Sequence, residues 1–266
     1  MCSYTRFTMR LLGVLILGVC VLRGSSIAQN PVHGDAKAME IAEKLLVSMG
    51  GMEKWEKARY FRFDFVVEKE GKMIADFKHL WDRYTGRYRV EGVTEKGEKY
   101  VILFKDINSK QGDAFVNGKP SQGDEKKKFM DTGYERFIND SYWILMPYKW
   151  KDPGVILKYE GTSKGAEGKV WDKVLLTFDN VGLTPKDKYW GYVNQATGLM
   201  DKWEFILNGG KGPATMAEWS NWQNFGGIML STEKKFKGQP LRILFKSVAV
   251  SASTDEKQFT VLEANL

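Results

Sequence analysis

Cysteine is almost absent from this chain: of its 266 residues, only Cys2 and Cys20 are cysteines. Both fall in an N-terminal stretch with the features of a removable signal. The rest of the chain has no cysteine, which excludes disulfides, cysteine metal ligands and cysteine nucleophiles there. A domain of this length buries enough apolar surface to fold without disulfides.

Histidine is equally scarce, with only His33 and His79 in the sequence. Neither lies in a pattern typical of zinc sites. One stretch, GTSKG at 161–165, matches the G-x-S-x-G pattern of hydrolases, but the histidine that should follow the serine is missing. We interpret that stretch as a glycine-rich β-turn, and His79 as a buried histidine with satisfied hydrogen bonds. Glycine motifs for nucleotides are also lacking, so we expect no metal and no cofactor.

No apolar run is long enough to cross a membrane as a helix, which takes about 20 residues. The longest run follows Arg10 and closes with small residues before Gln29. A basic start, a short apolar middle and a small-residue exit are typical of a secretory signal. We predict that 1–28 is a signal peptide cut after Ala28, which leaves 29–266. Retention of the signal would instead attach the protein to the cell envelope.

Charge of one sign does not dominate, although the formal net charge is +7. Basic and acidic residues alternate along the chain, and the one dense basic run, Lys126 to Lys128, directly follows Asp124 and Glu125. This pattern favours a solvated helix face over a nucleic-acid surface. We therefore expect no nucleic-acid partner.

The apolar residues predict one helix and then many strands. Apolar residues recur at helical spacing from Asp35 to Met49, and Gly50 follows. The period then changes to two: Phe61, Phe63 and Phe65 should face the interior, while Arg62 and Asp64 should face water. The stretch 188–207 predicts a long hairpin.

Ten or eleven such strands, mostly joined by short turns, predict an α+β protein that is mainly antiparallel β. A helical insertion at about 123–146 interrupts them. So many half-apolar strands must curl to hide one face, which predicts a single domain with a strongly curved sheet or unclosed β-barrel. The N-terminal helix and the insertion would cover the sheet. The apolar stretch YWILMPYKW at 142–150, here called the lid segment, would belong to this cover, with Pro147 ending its helix.

Aromatic residues are abundant, at 13% of the chain. Most must be core, but some would line an apolar cavity under the lid segment. For Tyr142, Trp143 and Trp150, core and cavity both stay open. The predicted ligand-binding residues are Phe63, Phe65, Phe77, Trp81, Phe104, Phe137, Trp143, Leu145 and Met146.

The order of elements resembles the LolA/LolB-like superfamily of bacterial lipoprotein carriers over about 31–266. The match is best near the end, where Gly227 to Leu230 and Asp255 to Phe259 are similar to a turn and a tail motif of outer-membrane lipoprotein-sorting proteins. The resemblance implies an unclosed barrel that holds acyl chains under a helical lid.

These observations favour a periplasmic, non-catalytic, monomeric binding protein for a lipid-like group or a lipoprotein acyl chain, in transient contact with a membrane. An exported glycan-binding protein or glycan-acting enzyme is the alternative, because acidic residues are plentiful and no specific pair can be chosen from the sequence. A structural envelope protein with a filled core is the third possibility.

The signal peptide gives a first prediction. N-terminal sequencing of the protein from the cell envelope should read from Gln29, because export would remove 1–28. Incorporation of labelled fatty acid at Cys20 would contradict this and show a lipoprotein.

Overall fold

The structure, a computed structural model, describes residues 33–179, 186–207 and 209–266. The predicted signal peptide and its cleavage site lie outside the described residues. Both therefore stay predictions.

Two helices follow one another near the N-terminus, and a third lies mid-chain. The described α-helices are α1 (Ala36–Ser48), α2 (Gly51–Lys57) and α3 (Gly123–Leu145). Asp35 caps α1, since its carboxylate accepts a hydrogen bond from the Ala38 amide at 2.8 Å. Gly50 separates α1 from α2 at φ 112, which glycine adopts without steric cost. The first helix and the insertion are confirmed, whereas the sequence pattern did not predict α2.

A 3-10 helix (Met146–Lys149) continues directly from α3, with Pro147 in its first turn. The α-helix itself ends at Leu145, two residues before Pro147, which agrees with the predicted helix end at this proline. Proline fits the first turn of a helix because no partner is needed there for its missing N–H.

The described residues form fourteen strands, three or four more than expected. They are β1 (His33–Gly34), β2 (Tyr60–Lys69), β3 (Lys72–Asp82), β4 (Tyr88–Val93), β5 (Lys99–Asp106), β6 (Gln111–Val116), β7 (Lys119–Pro120), β8 (Val155–Lys164), β9 (Val170–Phe178), β10 (Lys188–Asn194), β11 (Met200–Ile206), β12 (Thr215–Phe225), β13 (Ile228–Phe236) and β14 (Leu241–Ser251). Their hydrogen-bonded order is β1-β8-β9-β10-β11-β12-β13-β14-β2-β3-β4-β5-β6-β7. β1 and β8 run parallel, and the order has two free ends among the described residues. The predicted class, α+β with a mainly antiparallel and unclosed sheet, is confirmed.

The structure of 161–165 differs from the predicted glycine-rich β-turn. This stretch belongs mainly to β8, where Ser163 pairs with Trp171 of β9, so the β-turn interpretation is wrong. The pairing register shifts between Tyr159 and Thr162, and Gly161 adopts φ 91. The glycine therefore serves a β-bulge rather than a turn.

Two compact units divide the described chain. The first comprises 33–45 and 138–216, and the second comprises 46–137 and 217–266. Each contains its own cluster of buried aromatic rings. The single domain expected over 29–266 stays a prediction.

In the second unit, β2 has the predicted apolar face. Its three buried phenylalanines are Phe61, Phe63 and Phe65. The prediction that Asp64 faces water is wrong, because only 6% of this residue is exposed. Its carboxylate accepts hydrogen bonds from Arg62 at 2.5 Å and from the Ser247 hydroxyl at 2.7 Å. A buried carboxylate is tolerated here because it is paired and hydrogen-bonded.

The other face of the second unit carries a C-terminal tail (252–266) held by a buried ion pair. Arg89 and Glu91 of β4 lie 2.6 Å apart and are almost fully buried. The guanidinium donates to three tail carbonyls, and the carboxylate accepts from two tail amides. The carbonyls belong to Gln258, Val261 and Glu263, and the amides to Asn265 and Leu266. Such a buried pair is stable only when its remaining hydrogen-bonding positions are filled, which the tail does.

Gly50 and Gly51 give a matched test of a close approach in the second unit. A Cβ on Gly50 would overlap the carbonyl oxygen of Gly227, whereas a Cβ on Gly51 meets open space, and both glycines have positive φ. Gly51→Ala should cost about 1–2 kcal/mol from the left-handed backbone alone. Gly50→Ala should lower the free energy of unfolding clearly more, because the backbone at Gly227 must also move. Urea unfolding of both variants measures the difference, and equal losses would contradict the contact.

Candidate functional site

The predicted ligand-binding residues fall into both units. Those in the second unit are Phe63, Phe65, Phe77, Trp81, Phe104 and Phe137, and those in the first are Trp143, Leu145 and Met146. All are buried except Phe77, which is half-buried. Their role in ligand binding stays a prediction.

In the second unit, alternation along neighbouring strands places aromatic rings side by side on one face. The Phe63 ring stacks on His79 with centroids 4.5 Å apart. Phe245 of β14 meets Phe63 at 5.7 Å and Phe65 at 5.6 Å, edge to face in both cases. These are favoured geometries for aromatic pairs. The rings therefore form one apolar surface across β14, β2 and β3.

The N-terminal part of α3 extends this surface. Phe137 meets the ring of Trp81 at 5.2 Å and that of Tyr88 at 4.9 Å, and Tyr88 lies 6.0 Å from Phe104. Gly133 allows the helix to come close, since a Cβ there would meet the side chains of Ile102 and Phe104 at about 3 Å. Five of the six predicted residues in this unit thus belong to linked ring clusters. Phe77 instead lies under the Arg136 guanidinium, whose central carbon is 4.5 Å from the centroid of the Phe77 ring.

His79 is fully buried, and its Nδ1 lies 2.6 Å from the Tyr88 hydroxyl. The expectation of a buried histidine is confirmed, and its hydrogen bonding is confirmed for Nδ1. No group of residues suited to holding a metal ion occurs in the part of the chain that the structure describes.

In the first unit, the lid segment packs on the apolar face of β10 and β11. Trp143 lies 4.7 Å from Trp203 and 5.9 Å from Phe205, in edge-to-face contacts. Tyr142 lies 5.7 Å from Trp203 and 6.3 Å from Tyr189. Burial raises the pKa of the Tyr142 phenol well above its usual value, and the nearby Tyr189 adds to this. The lid segment is therefore dry and in ring contact with the sheet.

Trp150 ends the lid segment and lies against β10 at Gly191. A Cβ on Gly191 would overlap the Trp150 ring, so glycine at this position makes the approach possible. The indole Nε1 donates to the Met146 sulfur at 3.2 Å. Met146 is fully buried and Leu145 nearly so.

Sequence reasoning missed Lys234 of β13, a fully buried lysine in the second unit. Its Nζ donates to the Ser231 carbonyl at 2.5 Å and lies over the rings of Trp219 and Phe245, 3.9 and 4.9 Å from their centroids. Burial lowers the pKa of this amine well below its usual value, and Glu233 opposes the shift only in part. Period two along β13 could have found it, because Lys234 shares a face with Leu230 and Phe236.

Acidic and aromatic side chains meet on the outward face of the first unit. Lys173 lies between the carboxylates of Glu160 and Glu204, at 3.9 and 3.7 Å. The Trp190 indole donates to Glu160 at 2.8 Å, and the Tyr192 hydroxyl to Glu204 at 2.6 Å. Both carboxylates are thus engaged by a cation and an aromatic hydrogen-bond donor.

No described helix is long and apolar enough to span a membrane. Comparison with known proteins finds similarity only at the level of solved structures, since no family model and no curated protein matches the sequence. A DUF1329 family protein from Desulfovibrio piger has a TM-score of 0.46 and 10% identity. A LolA superfamily protein from Nitrosomonas europaea has a TM-score of 0.47 and 13% identity. A domain assigned to outer membrane lipoprotein-sorting proteins, from Vibrio parahaemolyticus, has a TM-score of 0.45 and 10% identity.

Each of these three matches covers 84% of this chain and 96% of the other. Structures described as LolA superfamily and as outer membrane lipoprotein-sorting are thus among those that this chain is similar to. No ligand or binding residue is carried over from them.

The contact between Gly191 and Trp150 gives a test of how the lid segment packs on β10. Gly191→Ala should destabilise the protein by about 1–3 kcal/mol, the usual cost of overpacking a core, because the ring must move. In a Trp150→Leu background the same change should cost much less. A double-mutant cycle by denaturant unfolding measures the coupling, and additive losses would contradict the contact.

Proposed function

We propose that this chain is an exported, non-catalytic binding protein that holds a lipid-like chain or a lipoprotein acyl group against its apolar sheet faces. It would work in the periplasm as a monomer, in transient contact with a membrane. The lid segment would lift to admit the ligand.

The observation that carries this proposal is the linked set of rings on one face of the second unit. Phe63, His79, Phe245 and Phe65 form one chain of ring contacts, and Trp81, Phe137, Tyr88 and Phe104 form another. A long apolar surface of this kind suits an alkyl chain, which has no hydrogen-bonding groups to satisfy.

The energies are adequate for such a ligand. Burial of each methylene contributes about 0.8 kcal/mol, so a dozen methylenes give roughly 10 kcal/mol before the costs of association. A dissociation constant near 1 μM requires about 8 kcal/mol. Partial burial of an acyl chain is therefore enough.

The lid segment suits a reversible cover because its described ring contacts are apolar. Trp143 and Tyr142 meet rings of β10 and β11. Apolar contacts are not directional, so methylenes of a ligand can replace them. Segments that move for ligand entry are drawn from those a protein opens locally.

The glycan alternative would use the outward acids and aromatics of the first unit. Glycoside hydrolysis needs one carboxyl group as an acid and a second as base or nucleophile. Lys173 lies close to both Glu160 and Glu204, so the two carboxylates share one cation. This arrangement gives no reason to prefer catalysis.

A fluorescent fatty-acid probe tests the proposal with a matched pair of variants. Phe65 is on the ring face, whereas Phe259 belongs to the C-terminal tail and is buried against Tyr60 and Leu80. Phe65→Leu should weaken probe binding by about threefold to tenfold, because ring area is lost from the binding face. Phe259→Leu should leave binding unchanged.

Both variants should lose about 1–2 kcal/mol of stability, since each replaces a buried ring with a smaller side chain. Denaturant unfolding of the two checks that they are matched. No probe binding by the unaltered protein would overturn the proposal and favour a structural protein with a filled core. Equal effects of the two variants would remove the ring face as the binding site.

A further inference from the structure

Lys234 is the anomaly on the apolar face of the second unit. In the pairing register it lies opposite Trp219 of β12 on one side and Ile243 of β14 on the other. β14 in turn pairs Phe245 with Phe65 of β2. Trp219, Ile243 and Phe245 are all buried. The amine thus lies at one end of the ring surface assigned above to the ligand.

The amine has little that balances a positive charge. It is fully buried and donates one hydrogen bond, to a backbone carbonyl. Among the described residues no carboxylate forms an ion pair with it. The faces of Trp219 and Phe245 supply cation–π attraction, which is weaker than a paired carboxylate. Burial of an ammonium without an anionic partner is costly.

The adjacent lysine shows the contrast. Lys235 points to the opposite face of β13, is exposed, and lies 3.3 Å from Glu233. Folding alone therefore places one lysine of this pair in water and the other among rings. Lysine rather than methionine at the buried position costs stability, and an anionic ligand would offset that cost.

We propose that Lys234 binds the anionic head group of an amphiphilic ligand, whose alkyl chain lies along the ring face of the second unit. The inference rests on the proposed function and specifies its ligand class: a single acyl or alkyl chain ending in a carboxylate or phosphate. A lysine ammonium is a point charge without the fork of arginine, so it accepts either oxyanion. An anion against the amine would raise its pKa and so oppose the lowering that burial causes.

Three ligands with one alkyl chain test this in the unaltered protein, by calorimetry or by displacement of the fluorescent probe. Hexadecanoate should bind at least about tenfold more tightly than hexadecanol, because truncating one side of a buried charge pair is costly. Hexadecyl phosphate compared with hexadecanoate tells which oxyanion is preferred. Equal binding of hexadecanol and both anions would overturn the head-group site while leaving the proposed function standing. Failure of all three to bind would overturn both.

Lys234→Met and Lys235→Met are the matched variants. Lys234→Met keeps the volume and removes the charge, so it should abolish the preference for hexadecanoate while hexadecanol still binds. Lys235→Met should change neither affinity. An undiminished preference in Lys234→Met would overturn the inference. Because the ligand comparison on the unaltered protein needs no variant, the test holds even if Lys234→Met folds poorly.

Discussion

The constraint on which the structure depends is the dry face of each strand. Residues of a strand alternate between two faces, and in β2 the phenylalanines all fall on one of them. An antiparallel sheet with two free ends does not hide such a face by closing on itself. Helices must cover it, and the cover must come close. Glycines allow this in both units: Gly133 lies in α3 itself, and Gly191 of β10 lies under Trp150.

In the second unit, the face of the sheet opposite the ring face is covered in a different way. There the cover is the C-terminal tail, and it is held by charge as well as by apolar contact. Arg89 and Glu91 are buried together and bond to the tail backbone. Among the described residues, no carboxylate forms a comparable ion pair with Lys234 on the ring face. One face is thus specified by fully satisfied polar groups, which favour a single arrangement, and the other by apolar contacts that a ligand can replace.

Period-two alternation predicted the strand pattern, the buried phenylalanines of β2, the hairpin of β10 and β11, and the antiparallel class. The helical insertion could be predicted because the residues 123–145 do not follow that period. It failed where polar residues are buried. Asp64 was assigned to water because alternation cannot show that Arg62 and Ser247 enclose it.

Lys234 was overlooked for a related reason. Glu233 and Lys235 flank it, so the charges alone predict that all three side chains at the end of β13 lie in water. Period two along β13 places Lys234 on the buried face, but its pairing with Trp219 depends on the register between strands, which one strand's sequence does not contain. Similarly, Gly161 reads as a turn residue, and only the pairing of β8 with β9 makes it a bulge.

The pairing of β14 with β2 has a consequence for how the chain is made. β2 comprises Tyr60–Lys69 and β14 comprises Leu241–Ser251, so a strand synthesised early must wait for one of the last to emerge. Contacts this distant in sequence form slowly, because a long loop must close first. Until then, one edge of β2 lacks its partner and its three phenylalanines are open to other chains. The second unit is therefore complete only when this final strand has paired with β2.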